Sequence, residues 1–382
     1  MSSRTSNGTP GPDHGSLQAP SIGRRRLGAR ADPPRHRRRT RGSIFLRRSI
    51  RSTSVRHRGR YVVLLVTGNK DLCDILTTCG GRAPYLTSLA ETYALADQDW
   101  FCNVDPSFPN YLCLTGASEF GCAGSTVGPN SNPCTWAAWN ATNIVDRLED
   151  GGLTWKAYLE DMPSNCYARY AGRYVVPHNP FVYYRSIATN ATRCARVVPS
   201  GSNGSALIAD LQSTSTASNY MWFTPNECND MHECSIGTGD RYLAALVPQI
   251  LQSPVFRTTR AALLVTFDEA YGYPIYAVWA GPVAKTGFVS SYGYTHFSVL
   301  ATIESNWNLT PLTSNDRDAP HMGEFFQGQP SRGFNQGPPR PIPLVYVATI
   351  SGGSGVGILA VSIFLLRRER RKTERSAMEG RG

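Results

Sequence analysis

The chain has 382 residues, 41% of them hydrophobic, enough to bury a substantial core in one large domain or two smaller ones. Its formal net charge of +11 belongs to the ends: residues 1–60 carry 16 Arg against two Asp (+14) and residues 367–382 carry +4, which leaves 61–366 at −7. A mildly acidic body excludes a globular nucleic-acid-binding face, and no nucleic-acid partner is expected.

In chain order, residues 1–60 are Arg, Ser, Pro and Gly with hardly an apolar run, and they are expected to form a disordered basic segment. No secretory signal is legible there, so a mis-assigned start or reading frame upstream of residue 61 is the expectation. "YVVLLVT" (61–67) reads as a buried parallel strand. "RAPYLTSLAETYALAD" (82–97), with Pro84 near its start and apolar residues at helical spacing, predicts a helix. "NATNIVDRLEDGG" predicts a helix ending in a Gly pair, "GLTWKAYLEDM" a strand and turn, "SALIADLQS" a helix, and "YMWFTPN" a strand. "DRYLAALVPQILQS" predicts a helix with Asp240 as its N-cap; "RAALLVTFDEA" and "IYAVWAGP" are two further buried strands. Alternating strands and helices give an α/β fold with a largely parallel sheet, whose reactive groups sit in loops at the carboxyl ends of strands. The body spans 61–326 and a Pro/Gly linker spans 327–343. Residues 344–366, 23 without a charge, predict one C-terminal transmembrane helix; the basic 367–382 tail after it stays cytoplasmic by the positive-inside rule, with the body outside.

All ten cysteines lie within the body, no CxxC pair exists, and short-range pairs recur at 73/79, 122/134 and 228/234. An oxidised, extracytoplasmic domain is therefore expected rather than a zinc ribbon, and the sequons at Asn140, Asn190, Asn203 and Asn308 fit it weakly. The densest polar stretch, "NECNDMHEC" (226–234), admits two readings: a disulfide-closed loop presenting His232, or a metal knuckle of thiolate and imidazole. The missing CxxC spacing disfavours the knuckle.

Three polar loops follow strand-like runs: "NKDL", "NDMHEC" and "DEAYG". Asp268 and Glu269, adjacent carboxylates directly after a buried strand, are costly to bury without a counter-charge, which points to a hard divalent cation. Ser107 sits between two prolines, a rigid frame for a hydroxyl. His178, His232 and His296 each lie in a polar or aromatic loop.

Seven motifs in order, "APYLTSLAETYALAD", "DPSFPNYLCLTGAS" with "SEFGC", "HNPFVYY", "TPNECNDMHEC", "GDRYLAALVPQIL", "ALLVTFDE" and "YGYTHFSVLATIESNWNL", resemble the phosphoesterase family of bacterial acid phosphatases and non-haemolytic phospholipases C. That family lies within the alkaline-phosphatase-like superfamily, and the resemblance covers about residues 61–326. It implies an alkaline-phosphatase-like sandwich, a central and mostly parallel sheet flanked by helices. It implies hydrolysis of phosphate esters through a phosphoserine on Ser107, with one divalent metal cation held by Asn69, Asp268 and Glu269. His178, His232 and His296 would line the phosphate pocket, and Asn110, Asn229 and Asp230 are the candidate substrate-binding residues. "NECNDMHEC" then becomes a loop closed by Cys228 and Cys234 that aims His232 at the phosphate.

Two positions depart from the family pattern: Gly68 stands where the family has Glu before Asn69, and Asp105 where it has His before Pro-Ser. The expected partner is a phosphate ester, with a phospholipid headgroup a reasonable choice for a body tethered to a membrane. The alternative is a catalytically inactive membrane-anchored binding protein, its cation site disabled by Gly68. The enzyme reading requires Ser107 and the 268–269 pair to meet around one cation; a separation beyond about a nanometre would overturn it.

Overall fold

Strand β1 (Tyr61–Thr67) is buried along its whole length, and its side chains alternate between two separate cores, which places it mid-sheet between two layers. Val62, Leu64 and Val66 face one layer with Phe108, Leu112 and Leu300; Tyr61, Val63 and Leu65 face the other with Leu86, Leu243 and Leu246. The structure is a computed structural model that describes residues 59–102, 106–123, 134 and 140–329. The proposed 344–366 span, the 367–382 tail, residues 1–58, the linker from 330 onward and Asp105 lie outside the described residues. Among the described residues no helix is long and apolar enough to cross a membrane.

The sheet has nine strands: β1, β2 (Ala94–Trp100), β3 (Trp155–Leu159), β4 (Val197–Pro199), β5 (Tyr220–Thr224), β6 (Ala261–Phe267), β7 (Ile275–Ala280), β8 (Phe288–Ser290) and β9 (Tyr294–Thr295). Their order is β4-β3-β5-β1-β6-β7-β2-β8, with β9 also on β2. Pairing is parallel throughout except on both sides of β7. Two reversals restore direction, so β1, β2, β3, β5, β6 and β9 all end at the same edge. One core layer holds the helices Ser107–Gly116, Ile144–Asp150 and His296–Trp307; the opposite layer holds Pro84–Thr92, Ile236–Leu251 and Pro254–Thr258. An α/β sandwich with a mostly parallel sheet was the expectation, and this is what is found.

Two local expectations are corrected. The helix predicted over 82–97 ends at Thr92, and "ALADQDW" becomes strand β2, whose Ala94 and Ala96 face one core and Leu95 the other. Period-two burial between β7 and β8 outweighs the helix propensity of the alanines. Asp240 is not an N-cap of its own helix, which starts earlier with Ser235 Oγ accepting the Thr238 N–H. Instead its carboxylate accepts the N–H groups of Tyr85 (3.1 Å) and Leu86 (3.0 Å), capping the first turn of the neighbouring helix across the layer.

Five disulfides are formed: Cys73–Cys79, Cys102–Cys113, Cys122–Cys134, Cys166–Cys194 and Cys228–Cys234. They include the three short-range pairs expected from the spacing, and two link residues of the site described next.

Candidate active site

The common strand edge gathers the predicted residues. β6 delivers Asp268 and Glu269, and the register Thr67↔Phe267 puts Asp268 directly beyond the end of β1, its N–H donating to Thr67 O at 3.0 Å. Both acids are buried, at 0% and 3% exposure. Ser107 opens the helix Ser107–Gly116, and its Oγ donates to Glu269 Oε1 at 3.4 Å. The two parts of the chain, 162 residues apart, therefore meet well inside the required nanometre. Asn110 lies one turn on; its Nδ2 donates to Glu269 Oε2 (3.3 Å) while its Oδ1 accepts the Cys102 N–H (3.0 Å). Thus Asn110 orients the acid and ties Cys102 to the helix that Ser107 opens. Cys102–Cys113 fastens the same two segments covalently. Asn69 lies half-buried on the loop immediately after β1.

A cation fits this chemistry. Asp268 Oδ2 is buried and has no hydrogen-bond partner among the described residues. Burial pushes the Asp268 carboxyl up to about 7, partly offset by His178 and Ser107 nearby. A divalent ion held by Asp268, Glu269 and Asn69 would satisfy that oxygen and keep the carboxylate ionised. Elsewhere among the described residues, Cys102, Cys113 and Glu119 are grouped closely enough for a metal, but their sulfurs are bonded to each other and offer no thiolate.

The histidines differ in state. His296 begins the helix His296–Trp307; its Nε2 contacts the Asp268 carbonyl oxygen at 2.5 Å. A carbonyl only accepts, so Nε2 carries the hydrogen and Nδ1, buried and unpartnered among the described residues, keeps its lone pair. Burial holds this imidazole down to about 4, so it is neutral near pH 7. His178, on a 3₁₀ turn (Val176–His178), stands with Nδ1 3.2 Å from Asp230 Oδ2 and its ring stacked on Tyr111. Burial lowers its pKa, but the Asp230 carboxylate beside it, with Asp268 and Glu227, more than offsets that, and the net shift is upward. His232 lies at the solvent side of the loop, its ring 5.9 Å from that of His178. Partial burial and the His178 charge hold it below the usual imidazole range.

The polar stretch 226–234 is a loop closed by Cys228–Cys234. Asp230 is fully buried beneath it: Oδ1 accepts the His232 N–H at 2.7 Å, Oδ2 faces His178, and its carbonyl accepts the Gly68 N–H at 2.9 Å. Asn229 gives its side-chain amide to Glu160, 3.0 Å from both carboxylate oxygens. So the structure gathers Ser107, Asn110, Asp268, Glu269 and His296 by direct contact, and His178, Asp230 and His232 as a second linked set. The Cβ that Gly68 lacks would stand 3.2 Å from both Asp230 O and His232 Cβ, so the space a larger residue would take is filled by the loop.

Sequence reasoning passed over three residues. Tyr111, one helical turn beyond Ser107, is fully buried with its hydroxyl unpartnered among the described residues, and burial together with Asp268, Asp230 and Glu269 raises its pKa. Lys70 is half-buried; burial lowers its pKa, opposed by Asp230, Asp74, Asp268 and Asp71. Glu160 ends β3 as Asp268 ends β6, an acid directly after a buried strand, and that shared pattern is the signal that identifies it.

A model of the phosphoesterase family matches residues 80–310. A phosphate-repressible acid phosphatase of Penicillium chrysogenum is 29% identical over 230 residues, 56% of this chain and 52% of that protein. A phosphatidylinositol-3-phosphatase of Mycobacterium tuberculosis is 30% identical over 273 residues, 70% of this chain and 82% of that protein. The chain spans about half the length of the fungal acid phosphatases it matches. Among solved structures, a protein of the alkaline phosphatase superfamily from Vibrio parahaemolyticus is 11% identical with a TM-score of 0.48, covering 69% of this chain and 70% of that one, a likeness too loose to argue from.

Proposed function

The chain belongs to the phosphoesterase family, and from that premise we propose that it hydrolyses phosphate esters with Ser107 as nucleophile. The observation that carries the reading is the contact of the Ser107 hydroxyl with the buried 268–269 acid pair at the head of a helix. When bound, a divalent cation on Asn69, Asp268 and Glu269 would acidify the serine hydroxyl and neutralise phosphoryl charge. Ser107 Oγ attacks phosphorus, its proton passing to the Glu269 carboxylate to which it donates, as the bond to the leaving oxygen breaks. His178 or His232, as imidazolium, gives that oxygen a proton, and an alcohol departs. Water then cleaves the phosphoserine P–Oγ bond, releasing phosphate and restoring the hydroxyl. The dipole at the N-terminal end of the helix Ser107–Gly116 favours the anionic intermediate. His296, with Nε2 committed to a carbonyl, contributes an acceptor rather than a proton. The likeness to a phosphatidylinositol-3-phosphatase supports a phosphomonoester, with a phospholipid headgroup as the substrate class. The apolar segment 344–366 would hold the catalytic body against the outer face of a membrane.

The test is turnover of a chromogenic phosphate monoester and of a diester by the full chain, with and without divalent metal. Ser107→Ala is expected to lower turnover at least about 10³-fold, and a chelator to abolish it reversibly. Equal rates from Ser107→Ala and the parent would remove the nucleophile; no rate from the parent under any metal would favour an inactive binding protein in which Gly68 disables the site.

A further inference from the structure

Glu160 touches none of the atoms assigned to the reaction, yet the loop carrying Asp230 and His232 is hung from it. It is 5% exposed and stands at the end of β3, its N–H donating to Thr224 O. Its Oε2 accepts the Asn226 backbone N–H at 3.0 Å, and the Asn229 side-chain amide lies 3.0 Å from both Oε1 and Oε2. The next residue, Asp161, in left-handed backbone, accepts the Asn226 side-chain amide at 2.8 Å. Asn226 passes the constraint on: its Oδ1 accepts the N–H groups of Cys228 (3.0 Å) and Asn229 (2.9 Å), and its carbonyl accepts the N–H of Asp230 (2.9 Å). Asp230 then holds the His232 backbone at 2.7 Å and faces His178 Nδ1 at 3.2 Å.

We propose that Glu160 is a positioning residue that sets the two imidazoles by clamping Asn226 and Asn229 through an acceptor-only carboxylate. Both donors point at the same carboxylate, so the charged form, which carries no hydrogen, is the form that suits them. A displaced clamp would let Asp230 and both rings shift together, and shifts of about 1 Å at a reacting centre change rates by up to about 10²-fold. In the proposed reaction the imidazoles act as the acid on the leaving oxygen, so the loss falls mainly on kcat.

A reciprocal swap tests it in the full chain. Glu160→Gln sets an amide donor against a donor, and Asn229→Asp sets a carboxylate against a carboxylate; the double variant restores one donor facing one acceptor while the Gln oxygen still accepts from Asn226. Each single variant is expected to lower kcat at least about tenfold with KM within about threefold, and the double variant to return kcat to within about threefold of the parent. In parallel, the imidazole nitrogen NMR signals of His178 and His232 are expected to move in each single variant and return in the double. The kinetic arm rests on the phosphoesterase reading; the NMR arm does not, so a parent without turnover whose signals still follow the swap loses the function and keeps the clamp. Should a single variant fail to fold, recovery of a folded double with parental signals supports the clamp as well. Unmoved signals and unchanged kcat in the singles, or losses that simply multiply in the double, would overturn it.

Discussion

At residue 68 a missing side chain has been filled by its neighbours. Asp230 O and His232 Cβ already occupy the shell a Cβ would enter, and the Asp230 carbonyl is bonded to the Gly68 N–H. That carbonyl belongs to a disulfide-closed loop with little room to yield. Gly68→Ala is therefore expected to lose about 1–3 kcal/mol by overpacking, seen as a drop of several degrees in the thermal melt, and to lower kcat by displacing His232. A melt equal to the parent's would show that the loop gives way freely. Local patterns, acids after a buried strand and a hydroxyl between prolines, made Ser107, Asp268 and Glu269 candidates and the family resemblance gave them and the histidines their roles; the contact of Ser107 with Glu269 was not legible from spacing. Asn229 shows where local reading stops: its partner Glu160 is 69 residues away, so no spacing within the loop reveals that the amide faces a carboxylate.

At the scale of elements, strands long enough to cross the sheet were legible from their apolar runs, whereas β4, β8 and β9, of two or three residues, carry no period to read. Strand β2 was hidden because its alanines suit either conformation and only β7 and β8 decide. The helix His296–Trp307 carries a separate feature: Glu304, 2% exposed, faces Asp316, whose oxygens already accept the Leu312 and Thr313 N–H groups. Burial, then the Asp316 charge, pushes Glu304 up to about 9, with Arg147 pulling weakly the other way. A carboxyl near 4.3 when unfolded thus binds its proton more tightly when folded, so the stability it contributes is complete below about pH 4 and is lost as pH rises toward 9. Glu304→Gln, which mimics the protonated form, is expected to match the parent at pH 5 and exceed it by on the order of 2–4 kcal/mol at pH 8, read from denaturant unfolding at both pH values. Parallel pH dependence in the two proteins would mean that Glu304 is ionised in the fold.

For the whole molecule, the proposed membrane attachment rests on the uneven charge and the 23-residue apolar segment of the sequence. Full-length protein is expected to sediment with membranes and resist extraction by high salt or carbonate, while deletion of 344–382 frees it; salt-extractable full-length protein would leave only the basic ends as a surface attachment. The fold class was readable at this scale because alternating strands and helices admit few topologies. The antiparallel insertion of β7, which a buried apolar run cannot announce, was not.

Two of the covalent cross-links bracket the chemistry, one pinning the approach to Ser107 against its own helix and the other closing the loop that carries His232. A nascent chain with ten thiols has neither constraint, so these two bonds arise only where thiols can be oxidised. On the proposed function, oxidation would then gate turnover: the reduced chain is expected to hydrolyse a chromogenic phosphate monoester more slowly than the oxidised one.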